Sequence, residues 1–195
     1  MRQHRHAACP ARYLQAKNHF MKKTYYTLIL VLLLSKLTYA CSCNMKKLAE
    51  WQKIEVENSE CIFVGKITEV NKDLTYKITV IESLDGGDSH GNVYIGQNWK
   101  TCYPYVEGKG TWLIYARMEN GFLKMNMCGI SRPFDKPFAP MSDSKELDEY
   151  SKQIGLEKMT DEELYSGMLK LHRIDLANEI IALRKRRSNV EKASR

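Results

Sequence analysis

The tripeptide Cys41–Cys43 (Cys-Ser-Cys) holds the residues of this sequence best suited to chemistry. It follows Thr38–Ala40, in which Thr38 and Ala40 place small residues at the two positions that a signal peptidase inspects. Cleavage after Ala40 would leave Cys41 as the first residue, with a free α-amino group. An α-amine titrates near about pH 8, so part of it is neutral at physiological pH. Together with the carbonyl of the same residue, it forms a five-membered chelate for a zinc ion that has an open coordination position.

Disulfides would order this terminus. A bridge at Cys41 would anchor it and one at Cys43 would fix its direction, which removes entropy that binding would otherwise cost. Export implies an oxidising compartment, where disulfides persist. The odd number of cysteines after cleavage predicts two bridges and one unpaired thiol, or one pairing between chains. A structural zinc site is the alternative, but the Cys-x-Cys spacing is tighter than usual for zinc. The five cysteines are Cys41, Cys43, Cys61, Cys102 and Cys128.

The rest of the mature chain carries few catalytic signals. Only His90 and His172 remain, one in a polar turn and one in a helical tail, and they suggest neither a metal cluster nor a Ser–His–Asp set. Asp85–Gly87 lacks the lysine of a phosphate loop. Paired carboxylates stay open, because they need proximity only in space. Cys61 begins an apolar strand, which favours a buried inert thiol over a nucleophile. We therefore expect no enzymatic activity and no cofactor.

Residues 1–40 are interpreted as a leader with a signal peptide at about 21–40. Lys22 and Lys23 precede the apolar run Leu28–Leu34. A membrane-spanning helix is the alternative, but this run is only half of the roughly 20 apolar residues that a bilayer requires. Met1 and Met21 are both candidate starts, since Met21 begins a conventional signal by itself. We predict a secreted or extracytoplasmic protein without a transmembrane helix in the mature chain. Lipid anchoring at Cys41 is the alternative, because the residues before it approximate a lipoprotein signal.

The charge distribution excludes a polyanion-binding body. The full chain carries 30 Lys and Arg residues against 23 Asp and Glu residues, but seven of the basic residues and none of the acidic ones lie in residues 1–40. The remainder is balanced at 23 of each sign. A nucleic-acid partner would require a basic surface, so none is expected.

Alternating and β-branched runs predict five short strands after a short helix at Leu48–Val56. Because they are separated by glycine-rich turns, we interpret the strands as antiparallel and closed into a small barrel. Asn120-Gly121 is a strong signal for a tight hairpin. The fold class is therefore mainly β with an α-helical extension, a five-stranded OB-like closed β-barrel. The predicted strands are Cys61–Val70, Tyr76–Ile81, Asn92–Gly96, Thr111–Arg117 and Gly121–Cys128.

The barrel is assigned to residues 41–132, a proline-containing linker to 133–143 and a helical extension to 144–195. One helix is predicted from Ser142 or Asp143 to near Gly155, and a capping box at Thr160–Glu163 opens a longer one. The basic cluster Arg184–Arg187 is expected in solvent at that helix's C-terminus. An apolar stripe indicates that the helix folds back on its own domain. The stripe contains Leu164, Met168, Leu171, Leu176, Ile180 and Leu183.

Several segments follow the Cys-Ser-Cys start in an order known from one family. They are Phe63–Gly65, Tyr76–Val80, Cys102, Gly108–Ala116 and Cys128. This order resembles the netrin-like domain, and specifically the N-terminal domain of the tissue inhibitors of metalloproteinases. The resemblance covers Cys41 to about Pro133.

The resemblance implies an OB-type barrel with disulfides Cys41–Cys102 and Cys43–Cys128, which leaves Cys61 unpaired. In those inhibitors the N-terminal cysteine chelates the zinc of the protease through its amine and carbonyl, a role that would fall to Cys41. The second residue points into the specificity pocket, a role that would fall to Ser42. The segment before the fourth cysteine packs beside this wedge and corresponds to Trp99, Lys100 and Thr101.

The sequence departs from the family in three places. Cys61 lies where the family has its third cysteine, but the partner beyond the last strand is missing. The stretch from Cys43 to Cys61 is longer than in the animal inhibitors, and the helical tail does not resemble their second domain. Two functions stay open. One is inhibition of a zinc metalloendopeptidase, and the other is non-inhibitory binding of another extracellular protein.

Overall fold

A computed structural model describes residues 43, 46–138, 149, 152 and 160–193. All of them belong to one compact unit, Cys41–Arg195. The predicted leader lies outside the described residues. The helix predicted between Ser142 and Gly155 lies mostly outside them as well, although Glu149 and Lys152 are helical. No helix in the described ranges combines the length and the apolar character that crossing a bilayer demands.

The predicted short helix and all five predicted strands are present, and one further strand was not expected. Strand boundaries differ from prediction by a few residues, most of all in β5, which ends before Asn126. In chain order the elements are α1 Leu48–Asn58, β1 Cys61–Val70, β2 Thr75–Ser83, β3 Val93–Gln97, β4 Gly110–Glu119, β5 Phe122–Met125, β6 Arg132–Pro133 and α2 Asp161–Ala193.

The first five strands close into the predicted OB-like barrel. The sheet runs β1-β2-β3-β5-β4, and pairing of β1 with β4 closes the ring. The expectation that every pairing is antiparallel was wrong, because β3 and β5 pair in parallel through Gly96 and Leu123. The reason is geometric: a ring with an odd number of strands cannot alternate direction throughout, so at least one pair must be parallel.

Two glycines make the turns and crossings of this barrel possible. Asn120 and Gly121 both have positive φ, 52° and 81°, as the predicted two-residue hairpin between β4 and β5 requires. Gly96 lies against the ring of Tyr76, where a Cβ would stand only 2.1 Å from its Cζ. The absence of a side chain at Gly96 therefore lets β3 cross the buried tyrosine.

The residues of β1 from Cys61 to Gly65 are all buried, because both faces of this strand are covered. One face points into the barrel, where Phe63 and Ile67 pack in the interior cluster. The other face carries Ile62 and Val64 and packs in a second cluster outside the barrel. That outer cluster includes Leu176, Ile180 and Leu183 of α2. The predicted folding of the helical stripe onto its own domain is confirmed.

Helix α2 begins with the predicted capping box. The Thr160 hydroxyl accepts from the Glu163 amide at 3.3 Å, and the Glu163 carboxylate accepts from the Thr160 amide at 2.9 Å. The basic cluster is exposed at Arg184, Lys185 and Arg186, as predicted, but it does not end the helix, which continues to Ala193. Arg184 donates two hydrogen bonds to Glu82, and Arg187 donates to the carbonyl of Ser83. The cluster thus attaches the helix to β2.

The linker assigned to 133–143 begins too early. Pro133 pairs with Trp112 and Arg132 pairs with Leu113, so β6 adds a short sixth strand next to β4. The segment then continues along the barrel, where the amide of Phe134 donates to the carbonyl of Thr111 at 2.9 Å. Proline is tolerated there because an edge position requires no amide donor from it.

Candidate functional site

A disulfide joins the start of the described chain to the end of the barrel. Cys43 and Cys128 are bonded, with their Cα atoms 5.5 Å apart, as the resemblance implied. Cys43 is exposed. Cys41 and Ser42, the two predicted wedge residues, lie outside the described residues. The structure therefore fixes Cys43, the residue that follows them in the chain, to Cys128 in the β5–β6 connection.

The segment Trp99–Thr101 is attached to the end of β5, and its predicted place beside Cys41 and Ser42 involves residues outside the described ones. The indole of Trp99 donates to the carbonyl of Met125 at 2.9 Å, and the ammonium of Lys124 lies 4.6 Å from the centre of its ring. Lys100 and Thr101 are exposed, whereas Trp99 is half-buried. Trp99 thus anchors this segment to β5, while Lys100 and Thr101 face the solvent.

Cys102 completes the same surface. It is disulfide-bonded, and its sulfur lies 3.7 Å from the hydroxyl oxygen of Thr101. The next residue, Tyr103, accepts a 2.8 Å hydrogen bond from the amide of Cys128. Cys41, the predicted disulfide partner of Cys102, lies outside the described residues. We call the surface formed by Cys43, Trp99–Cys102 and Cys128 the cysteine ridge.

The backbone at the centre of the ridge is strained and held in place. Cys128 has a φ of 61°, a left-handed conformation that costs a residue with a side chain free energy. Three attachments hold it: the disulfide to Cys43, its amide hydrogen bond to Tyr103, and the amide of Gly129 donating to the carbonyl of Asn126 at 3.0 Å. Cys128 is therefore the best-anchored residue of the ridge, since a disulfide and a backbone hydrogen bond fix it to Cys43 and Tyr103.

A buried carboxylate ties the ridge to α1. Glu55 is 1% exposed and accepts a 2.6 Å hydrogen bond from the side-chain amide of Asn126. Gly129 leaves the room that this carboxylate occupies, since a Cβ there would lie 2.2 Å from its Oε1. Burial raises the pKa of Glu55 above its ordinary value, and the hydrogen bond from Asn126 opposes this shift. The connection Asn126–Gly129 thus closes over an acid of α1.

A second buried cluster joins α2 to the barrel. Glu179 accepts from Arg132 at 2.5 Å, from the Tyr115 hydroxyl at 2.5 Å and from Gln52 at 3.0 Å. Burial, followed by the charge of Glu179, raises the pKa of Tyr115. These side chains come from α1, β4, β6 and α2, so one carboxylate holds four elements together. Its hydrogen bonds are used within the fold, which assigns the cluster to stability.

The remaining candidates for chemistry are inert in this structure. Cys61 is free and buried, as predicted. Burial, followed by the charges of Asp88 and Asp85, raises the pKa of its thiol to about 11, which keeps it protonated at neutral pH. His90 is exposed on a turn and His172 is buried on α2. Within the described ranges, no three His, Cys, Asp or Glu side chains are grouped to hold a metal.

A concavity that the sequence analysis missed begins where the ridge ends. It is a groove of about 450 Å³ lined by Tyr103, Tyr105, Trp112 and Phe138 among others. The only available signal was the Tyr103-Pro104-Tyr105 triplet, an unusual aromatic density in an inter-strand segment. The other lining residues come from the segment before β4, from β4, from β6 and from the segment after β6, and no periodicity connects them.

Comparison with known proteins identifies no relative. A scan against protein-family models gives no match, and a search of curated proteins gives none either. The barrel, the Cys43–Cys128 bridge and the ridge are therefore the observations on which a function must be argued.

Proposed function

We propose that this protein inhibits zinc metalloendopeptidases by presenting Cys41 as its mature N-terminus on the cysteine ridge. The observation that carries the proposal is the disulfide that attaches Cys43 to Cys128, whose amide donates to the carbonyl of Tyr103, the residue after Cys102. Two residues of extended chain span at most about 7 Å, so a terminus that begins at Cys41 stays next to this disulfide.

The state of each cysteine supports the same placement of Cys41. Cys102 is disulfide-bonded, Cys43 and Cys128 are paired, and Cys61 is free. A partner for Cys102 must then come from Cys9 or Cys41, and Cys9 is removed if the leader is cleaved after Ala40. A Cys41–Cys102 bridge would fix the terminal residue itself, which leaves its amine and carbonyl free to act together as a chelate.

The chemistry of the proposed contact follows from the amine. A neutral α-amine donates a lone pair to zinc, and the carbonyl of Cys41 supplies the second donor atom. Ser42 would then enter the specificity pocket of the protease, and Lys100 and Thr101 would contact its rim. Because the ridge is ordered before binding, little conformational entropy is lost on association.

The test uses protein that begins at Cys41 and a panel of zinc endopeptidases. An alanine added before Cys41 turns the amine into an amide without a basic lone pair, so inhibition should weaken by more than about a hundredfold. An alanine added after Arg195 is the matched control and should leave potency unchanged. Ser42→Gly should change the relative potency against different proteases more than it changes the potency against the most strongly inhibited protease.

Equal potency of the N-terminally extended and native proteins would exclude chelation. Absence of inhibition by native protein across the panel would exclude the inhibitor proposal as a whole. Thermal unfolding of each variant shows whether the fold survives, and non-reducing peptide mapping shows whether the Cys43–Cys128 bridge has formed.

A non-inhibitory binding module anchored by lipid at Cys41 is the second candidate. The observation that favours it is the segment Leu37–Cys41, which approximates a lipoprotein signal except for the bulky Tyr39. A lipidated Cys41 has neither a free amine nor a free sulfur, so it could form neither the chelate nor a bridge to Cys102. The intact mass of the protein after export distinguishes the two candidates directly.

A further inference from the structure

Half of the residues that line the groove next to the ridge carry rings, and four of the others are charged. We name it the aromatic groove and define it by Tyr103, Tyr105, Trp112, Pro133 and Phe138. Tyr103 is 43% exposed, while Trp112 is 5% exposed and belongs to the interior cluster. A volume of about 450 Å³ lies in the range of ligand sites. The groove therefore has both the size and the lining of a binding site.

One wall of the groove is held by the side chain of Asn98, which bonds both backbone groups of Val106 as a neighbouring β-strand would. Asn98 donates to the carbonyl of Val106 at 2.9 Å and accepts from the amide of Val106 at 2.8 Å. Val106 is fully buried. At the other end of the wall, the carbonyl of Tyr103 accepts from Cys128. The segment that carries Tyr103 and Tyr105 is thus fixed at both ends.

The opposite wall is held by β4 and α2. Pro133 pairs with Trp112 in the sheet. The ring of Phe138 lies 5.2 Å from that of His172 and 5.6 Å from that of Tyr165, both on α2. Arg173 of the same helix donates to the carbonyl of Asp135 at 3.3 Å. Since both walls are anchored, the groove exists before any ligand arrives.

The charges around the groove cancel. Glu107 and Asp135 contribute two carboxylates, and Lys109 and Lys136 contribute two ammonium groups. A site for a nucleic acid or another polyanion would carry an excess of positive charge. The balance indicates a ligand without net charge that offers apolar surface to the rings and hydrogen-bond acceptors to the lysines and tyrosines.

We propose that the aromatic groove binds an uncharged proline-rich segment of another protein in the polyproline II conformation. Pyrrolidine rings stack on tyrosine faces such as that of the exposed Tyr103, and aromatic-lined grooves are the sites at which such segments dock. A polyproline II backbone has no internal hydrogen bonds, so its carbonyls are free to accept from the phenol hydroxyls and from Lys109 or Lys136. The segment is already ordered before it binds, which reduces the entropic cost.

This site is independent of zinc chelation. It requires neither a processed N-terminus nor a protease, although Tyr103 directly follows Cys102 and so joins the groove to the ridge. A partner that contacts both surfaces would be held at two adjacent points. The test below therefore omits proteases, and its outcome does not depend on inhibition.

The experiment titrates a blocked decaproline peptide into the oxidised full chain and follows the indole N–H signals by NMR. The chain has three tryptophans, and Trp112→Phe assigns the one in the groove. Decaproline should shift the signal of Trp112 and leave those of Trp51 and Trp99 in place. A Gly-Ser peptide of equal length is the control ligand and should shift none of them.

Variants of one wall separate ring stacking from folding. Tyr105→Ala should weaken decaproline binding by about tenfold or more, while Tyr105→Phe, which keeps the ring, should retain most of it. Ile181→Ala is the matched control, because Ile181 is 59% exposed on α2 and does not line the groove. It should bind decaproline as the native protein does. Thermal unfolding verifies that each variant is folded.

Three results would overturn the proposal. The first is an unchanged Trp112 signal at millimolar decaproline. The second is equal affinity of Tyr105→Ala and native protein, which would place binding elsewhere. The third is a shift by a neutral oligosaccharide, such as maltoheptaose, without a shift by decaproline, which would make the groove a glycan site.

Discussion

Replacing Glu179 by glutamine should destabilise the protein far more than replacing Glu82 by glutamine. Both carboxylates accept a hydrogen bond from an arginine, and both pairs join α2 to the barrel. They differ in exposure. The side chains of Arg132 and Glu179 are 1% and 2% exposed, whereas those of Arg184 and Glu82 are 55% and 31% exposed. The two substitutions therefore remove a carboxylate from a buried ion pair in Glu179→Gln and from a solvent-exposed ion pair in Glu82→Gln.

The expected magnitudes follow from what each arginine loses. Among the described residues, the other hydrogen bond of the Arg132 side chain goes to the carbonyl of Ile130, so Glu179→Gln removes the carboxylate that pairs with this buried cation. Breaking one partner of a buried pair costs about 3–5 kcal/mol. Arg184 is solvated after Glu82→Gln, and exposed pairs contribute about 0–1 kcal/mol. The predicted gap between the two variants is about 2–5 kcal/mol.

Urea denaturation followed by circular dichroism measures both losses, and hydrogen exchange of the α2 amides distinguishes undocking of the helix from global unfolding. A double variant, Glu179→Gln with Arg132→Met, removes both charges and keeps an acceptor for the Tyr115 hydroxyl. It should be more stable than Glu179→Gln alone, since no cation is then buried. If Glu179→Gln and Glu82→Gln differ by less than about 1 kcal/mol, or if the double variant is no more stable than Glu179→Gln alone, the reasoning is wrong.

Three further predictions concern pH, packing and the disulfide. Burial lowers the pKa of His172 below its ordinary value of 6.5, so the unfolded chain binds the proton at a higher pH than the folded chain does. The native protein should therefore lose stability relative to His172→Gln as the pH falls below about 6.5. Urea titrations of both proteins at several pH values measure this loss. Gly96→Ala should cost about 1–3 kcal/mol, because its Cβ would collide with the ring of Tyr76, whereas Gly108→Ala, with open space around the Cβ, should cost much less in the same assay. Cys43→Ala opens a bridge with a sequence separation of 85 and should cost about 4–5 kcal/mol, measured against native protein under non-reducing conditions.

Local patterns in the sequence were enough to predict the strands and the way α2 starts. Alternation and β-branching identify β1 as Cys61–Val70, and Asn120-Gly121 predicts a hairpin because both residues tolerate positive φ. The capping box at Thr160 depends only on residues three apart. Each of these features involves neighbours along the chain, so the sequence contains all the information that specifies it.

The sequence also suggested the ridge, although by resemblance and not by physical derivation. The Cys43–Cys128 bridge matches what that resemblance implied, whereas the place of Trp99–Thr101 beside the N-terminal wedge stays a prediction. Spacing alone leaves the cysteine pairing open, since five thiols can be paired in several ways. The roles of Cys41 and Ser42 stay predictions.

The tertiary structure alone decided which distant residues meet. The parallel pairing of β3 with β5 follows from closing an odd number of strands, and β6 exists because the segment after the barrel lies along β4. Arg132 and Glu179 are 47 residues apart, and their ion pair depends on α2 packing over β1. The aromatic groove likewise joins Tyr103 to Phe138. Periodicity describes which face of an element is apolar, but only the packing of elements determines what that face meets.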